Sequence, residues 1–295
     1  MKVVITGAAG RLGAALCELY SQKHEVIALD RNALDLAVPQ HCREVLAGVE
    51  FDALVNCAAL TNVDFCETHE AESMRINAEA VGEIAGLCSE RGARMVHIST
   101  DYVFDGEKAG AYTETDPAEP VSVYGLSKLR GEQALHAVSE HHLAVRVSWV
   151  FGPHRPSFID ILLKRALTEP GAAAIGDKFS TPAFTIDLAA WLEPLFDGRC
   201  NAGGVLHLCN SGATTWQEYG QKAIDLAHRR GVPLKANKVE ALSLADMKNF
   251  VARRPVNSVM SVVKFAALTG ITPRPWQEAV ESYLYDHGGL SALIS

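Results

Sequence analysis

Two periods alternate along the first half of the chain. Short apolar runs, KVVIT (2–6), EVIAL (25–29), DALVNC (52–57), RMVHIS (94–99) and LAVRVSWV (143–150), are rich in β-branched residues. Such unbroken runs read as parallel strands buried on both faces. Between them the period lengthens to that of a helix, as in the stripe Leu12, Ala15, Leu16, Leu19 and Tyr20, which faces a sheet. Strand and helix repeated in this way predict a doubly wound α/β fold with right-handed crossovers over residues 1–150.

After Gly152 the rhythm is less regular. Helical patterns lie near 157–169, 186–196, 214–230 and 275–285, the last with Trp276, Ala279, Val280, Tyr283 and Leu284 on one face, and one clear strand pattern, GVLHLC, lies at 204–209. Residues 151–295 therefore read as a smaller, mostly helical lobe, parts of which return to the sheet. No repeat, low-complexity segment or long linker separates the two portions, so the cleft between them is the expected ligand site.

A chain of 295 residues with 48% hydrophobic and 21% charged residues can bury a large core. Its net charge of -8 and the lack of any Lys/Arg run exclude a nucleic-acid partner; the pairs Arg229-Arg230 and Arg253-Arg254 read as solvated helix ends. No apolar run reaches membrane-spanning length, and the opening residues lack the pattern of a signal peptide. The seven cysteines are scattered singly, without a C-x-x-C pair, which suits a reducing compartment and a cytoplasmic location. No metal site is expected: Glu67, Glu70 and Glu72 read as a solvated acidic turn.

Candidate chemistry begins with TGAAGRLG after the first strand. Gly7, Gly10 and Gly13 allow a tight turn, close approach of the backbone to a pyrophosphate, and close helix-strand packing, while the helix N-terminus offers free amides to the anion. In that context the motif predicts a Rossmann-type dinucleotide site. Asp30 ends the second strand, where a carboxylate accepts from a ribose 2′-hydroxyl and favours NAD; Arg31 follows, where a guanidinium favours the 2′-phosphate of NADP. Asp35, Leu36, Ala58 and Ala59 fall where loops line the adenine and ribose pocket.

Tyr124 and Lys128, four apart on a helix, project from one face. An ammonium near the phenol is expected to lower its pKa from about 10, making Tyr124 a general acid or base for a carbonyl. Thr100, after the fourth strand, offers a hydroxyl to the same carbonyl oxygen. Asn77 lies on the stripe of Val81, Ile84, Ala85 and Cys88 and is expected to be buried, bracing the strand-four loop or a water beside Lys128, or simply making a structural hydrogen bond.

Together with VNCAALTNVDFCE (55–67), STDYVFDG (99–106), YGLSKLRGE (124–132), SWVFG (148–152), RPVNS (254–258) and PWQEAVESYL (275–284), these residues resemble the extended short-chain dehydrogenase/reductase family, in particular its nucleotide-sugar reductases. The resemblance covers nearly the whole chain. It implies hydride transfer from NADPH or NADH to C4 of a 4-keto-6-deoxysugar nucleotide, with Tyr124 giving the proton, Lys128 anchoring the ribose, and Thr100 holding the carbonyl. It also implies that Arg11 and Leu12 join the glycines at the cofactor and that Val63, Asp64, Tyr102 and Trp149 surround the sugar. An indole face suits the apolar side of a pyranose.

The chain departs from the family at DKFSTPAFTIDLA (177–189), with Lys178 for Gln, Ser180 for Gly and Ala183 for Thr, and at Val147 and Ser157. Lys178 suggests an altered phosphate or base contact. Thr100 is followed by Asp101 and Tyr102, not by the Asp-Glu pair of a dehydratase. An epimerase with tightly held NAD and a non-catalytic, NADP-binding regulatory subunit of methionine adenosyltransferase are the rival readings. The expected partner is a nucleotide sugar, and a homodimer is compatible with a sequence that does not fix the oligomeric state.

Overall fold

The structure, a computed structural model, describes residues 1–294. The first half builds β1 (Lys2–Thr6), α1 (Arg11–Tyr20), β2 (Glu25–Leu29), α2 (Pro39–Ala47), β3 (Ala53–Asn56), α3 (Val63–Thr68), α4 (Glu70–Met74), α5 (Ala80–Glu90), β4 (Arg94–Thr100), α6 (Val123–Val138) and β5 (Leu143–Val147). The second half adds β6 (Val150–Phe151), α7 (Phe158–Thr168), β7 (Ala172–Ile175), β8 (Phe179–Ser180), β9 (Ala183–Phe184), α8 (Thr185–Phe196) and β10 (Gly204–His207). It ends with β11 (Thr214–Thr215), α9 (Trp216–Arg229), β12 (Val239–Leu242), α10 (Val263–Thr269), α11 (Trp276–Asp286) and α12 (Ser291–Ile294).

One six-stranded sheet, all of its pairs parallel, runs in the order β10-β5-β4-β3-β1-β2. Because side chains alternate across a strand, Val3 and Ile5 join one apolar layer with Leu12, Leu16 and Leu192, while Val4 joins the opposite layer with Leu54, Met95, Leu46 and Ile84. Helices therefore cover both faces, α1 and α8 on one and α2 and α5 on the other, as a sheet of continuous apolar runs requires. The Tyr20 hydroxyl donates to Ala189 O at 2.7 Å and ties α1 to α8. A third cluster, centred on Leu163, Tyr219, Ile224, Trp276 and Val280, forms the core of the second lobe. Among the described residues no helix is long and apolar enough to cross a membrane.

The run 143–150 is not one strand. Trp149 adopts φ 37°, a left-handed conformation uncommon for a large side chain, and it separates β5 from β6, which pairs with β9 in the other lobe. The run at 204–209 forms a strand only over Gly204–His207 and pairs with β5 at the sheet edge. The second half thus supplies both a strand and a covering helix, α8, to the first.

Between α4 and α5, residues Arg75–Glu79 form a wide helical turn that leaves Asn77 fully buried. Such single wide turns recur at functional sites.

Candidate active site

A cleft of about 660 Å³ opens at the carboxyl ends of the central strands, the edge at which ligands bind in open α/β sheets. One end is the turn between β1 and α1. Gly7 has φ 65°, and a side chain there would place its Cβ 2.7 Å from Ala58 N; at Gly13 a Cβ would lie 2.2 Å from Gly7 O. Backbone therefore crosses backbone where no side chain fits, and Gly10 caps α1 without occupying its first-turn amides with a side chain. This cradle, with a helix N-terminus open to the cleft, fits a dinucleotide pyrophosphate.

Gly7, Gly10, Arg11, Leu12, Gly13, Arg31, Asp35, Leu36, Ala58, Ala59, Val63, Thr100, Tyr102, Tyr124, Lys128 and Trp149 all line the cleft. Asp30 and Asp64 do not. Asp30 turns its Oδ1 to the amides of Asn32 and Ala33, at 2.9 and 3.0 Å. Asp64 accepts from the amides of Val251 and Ala252 and from Arg254 Nη2 at 2.8 Å. Arg11 is in the wall, but its guanidinium donates to three carbonyls, Val150 O at 2.9 Å, Arg155 O at 3.0 Å and Pro156 O. Arg155, which also lines the cleft, donates in return to Ala9 O at 2.7 Å. The pair fastens the cofactor turn to the second lobe, and the sequence carried no signal for Arg155.

Ser122 caps α6 through the amide of Gly125, and Gly125 lies so close to the loop after β4 that a Cβ would meet Tyr102 O at 2.1 Å. This contact brings Tyr124 beside Thr100 and sets the Tyr124 and Tyr102 rings edge to face, 5.6 Å apart. The Thr100 hydroxyl donates to Asp101 Oδ1 at 3.2 Å and accepts from the Tyr102 amide at 3.3 Å.

The expected electrostatics differ. Burial pushes the Tyr124 phenol well above its ordinary value, and the Thr100 hydroxyl pulls the other way. Lys128 turns toward the sheet, with Nζ 2.7 Å from Ile98 O and 3.1 Å from His97 Nε2; burial pushes it down to about 8, with the Glu132 carboxylate opposing. Asn77, buried as expected, braces a different loop: it accepts from the Leu60 amide at 2.8 Å and donates to Leu60 O and Ser127 Oγ. It thus holds the loop after β3 against α6.

In the cleft wall, Asp101 Oδ2 accepts from Ser148 at 2.9 Å, Ser180 at 3.0 Å and Ser258 at 2.5 Å. Three distant segments meet on one buried carboxylate, and Ser180, a departure from the family, adds a donor that glycine lacks. Ser157, another departure, caps α7 with Asp160. Lys178 lies buried with its Nζ 5.3 Å from the rings of both Tyr102 and Trp149 and without a hydrogen-bond partner. The Trp149 indole nitrogen is also unpartnered; its ring packs edge-on against Trp216.

The family described as RmlD substrate binding domain matches residues 1–288. The chain is 31% identical to the dTDP-4-dehydrorhamnose reductase of Aggregatibacter actinomycetemcomitans, over 95% of this chain and 97% of that protein. It is 32% identical to the spore coat polysaccharide biosynthesis protein SpsK of Bacillus subtilis, over 97% of each. Among solved structures, a dTDP-4-dehydrorhamnose reductase from Bacillus anthracis in complex with NADP superposes with a TM-score of 0.89 at 28% identity, covering 96% of this chain and 98% of that one.

Proposed function

Because the chain belongs to the RmlD substrate-binding-domain family, we propose that it is an NADPH- or NADH-dependent reductase of the 4-keto group of a dTDP-4-keto-6-deoxysugar, converting dTDP-4-dehydrorhamnose to dTDP-L-rhamnose. The observation that carries this reading is the convergence of Thr100, Tyr124 and Lys128 on one cleft with the glycine cradle.

The nicotinamide supplies a hydride when bound, and the chain's own groups do the rest. Gly7, Gly10 and Gly13 hold the pyrophosphate, and Arg31, exposed in the cleft wall, meets a 2′-phosphate, while Asp30 lies outside the cleft lining with one oxygen on the amides of its own turn. NADPH is therefore the preferred reductant. Tyr124 gives its phenolic proton to the carbonyl oxygen as the carbon is reduced, so that C=O becomes CH–OH. Its raised pKa suits an acid that must keep its proton until the oxygen becomes basic. Thr100 turns its hydroxyl hydrogen from Asp101 Oδ1 to the same oxygen when the substrate is bound, and burial of the phenol keeps water from competing. Trp149, Tyr102 and Val63 pack around the sugar. Asp64 acts one layer out, holding the segment 251–254 beside them. The seven unpaired cysteines suit a reducing, cytoplasmic setting.

The test is cofactor absorbance with and without the keto-sugar nucleotide. Oxidation that depends on dTDP-4-dehydrorhamnose, with dTDP-L-rhamnose as product, is expected. Tight NADPH binding with no turnover of any nucleotide sugar would overturn the reading.

A further inference from the structure

The contacts around Lys128 fix where the hydrogens stand. The Ala58 amide lies 3.1 Å from Asn56 Oδ1, and because a backbone N–H only donates, that side of the carboxamide is its oxygen. Thr6 Oγ1 donates to the same oxygen at 2.5 Å. The other side, Nδ2, lies 3.0 Å from His97 Nδ1, and an amide NH₂ also only donates. His97 Nδ1 therefore carries a lone pair, and the hydrogen of the neutral ring sits on Nε2, facing Lys128 Nζ at 3.1 Å. An N–H opposite an ammonium makes no hydrogen bond; opposite a neutral amine it does. The amine can still donate to Ile98 O at 2.7 Å.

We propose that Asn56 and His97 favour the neutral amine of Lys128 in the cofactor-free protein, so that at alkaline pH cofactor binding, which turns Lys128 toward the ribose, is coupled to uptake of a proton by this lysine. His97 is a positioning residue: it touches neither substrate nor cofactor and acts through Lys128.

The surrounding charges leave this arrangement standing. The ring of His97 is fully buried, and burial holds it neutral. Glu132, one turn along α6, favours an ammonium, but its carboxylate is engaged by Arg146 at 2.7 and 2.9 Å and by Ser99 at 2.5 Å. On the β3 side the Cys57 thiol is pushed up by burial and stays uncharged. His136 is lowered by burial, and Tyr124 keeps its proton. Burial then tips the balance toward the amine once the pH passes about 8.

The inference rests on the reading that Lys128 faces the cofactor, and on no sugar. Nitrogen-15 NMR of the free protein at about pH 9 is expected to show His97 as the neutral Nε2–H tautomer; an Nδ1–H tautomer or an imidazolium would overturn the proposal. Calorimetry of NADPH binding in buffers of different ionisation enthalpy, in a Tyr124→Phe background so that the phenol contributes nothing, is expected to show little uptake near pH 7 and close to one proton per site near pH 9. Zero uptake at both would overturn it. His97→Gln, whose side-chain oxygen can accept from an ammonium, is expected to cut the uptake at pH 9 by more than half, and full retention in that variant counts against the proposal. Absence of any NADPH binding would instead sink the functional reading, while the tautomer is decided separately.

Discussion

Asp64 and Arg254 meet at 2.8 Å although 190 residues separate them in sequence. With the amides of Val251 and Ala252 on its other oxygen, Asp64 holds a late segment of the chain against the start of α3, whose first residue, Val63, lines the cleft. Asp64→Ala leaves an arginine and two amides without their acceptor. It is expected to raise KM for the sugar nucleotide roughly tenfold, matching about 1–3 kcal/mol for a lost charged hydrogen bond, with the NADPH dissociation constant unchanged. Steady-state kinetics beside a cofactor titration check this. The Asp64→Ala, Arg254→Ala double variant should lose less than the sum of the singles.

Tyr124→Phe keeps the ring and the packing with Tyr102 but removes the proton. A fall in kcat of roughly 10²- to 10⁴-fold is expected, with NADPH still bound, as seen by fluorescence of the bound cofactor. Activity within a factor of two of the parent protein would take Tyr124 out of the mechanism.

Arg31 is exposed and loosely paired with Asp35, at 3.9 Å, so it is free to meet a phosphate. Arg31→Ala should raise KM for NADPH about tenfold or more and leave KM for NADH nearly unaltered, since a charge-assisted phosphate contact is worth on the order of 1.5–3 kcal/mol. Equal effects on the two cofactors would show that Arg31 does not read the 2′ position.

Lys178 is pushed down to about 8 by burial, with Asp101 opposing. Between pH 8 and the ordinary lysine value of 10.5 the unfolded chain therefore binds more protons at this position than the folded one, and stability rises with pH there. Lys178→Gln removes that dependence. Melting curves should show wild type gaining on the variant as pH is raised from 8 toward 10, and a pH-independent difference would contradict the burial argument.

His207 is fully buried, packs edge-on against Phe104, and has neither ring nitrogen partnered. Burial lowers it to about 3. From pH 6.5 downward the unfolded chain takes up a proton that the folded chain refuses, so stability is present above 6.5 and is lost progressively toward pH 3. His207→Leu should flatten the acid limb of a plot of Tm against pH; an unchanged limb would assign the loss to other groups.

Periodicity carried much of the fold into view, because parallel strands covered on both faces read as apolar runs and their helices as stripes. The glycine turn and the Tyr124, Lys128 and Thr100 set were legible for a similar reason, since few residue types satisfy those positions. What stayed hidden depends on distance through space. The break at Trp149 is backbone geometry inside an apolar run that gives no sign of it. Asp30 and Asp64 look like ligand contacts in sequence, and their other partners are visible only in space: two backbone amides on one oxygen of Asp30, and two amides with Arg254 on Asp64. The spacing of Tyr124 and Lys128 points the ammonium at the phenol, whereas His97 and Ile98 take the Lys128 nitrogen at the sheet; the polar residues Asn56 and His97 inside otherwise apolar strands are the available signal.

The place of β10 at the edge of the sheet, beside β5, bears on how the protein emerges from the ribosome. Until His207 has been synthesised, the apolar strand Leu143–Val147 has one row of backbone donors and acceptors unpaired, the condition under which nascent sheets recruit strands from neighbouring chains. The interval between residues 147 and 204 is thus a window of exposure during translation, and crowding or slow elongation across it should lower the yield of native protein without altering the stability of molecules that complete the sheet.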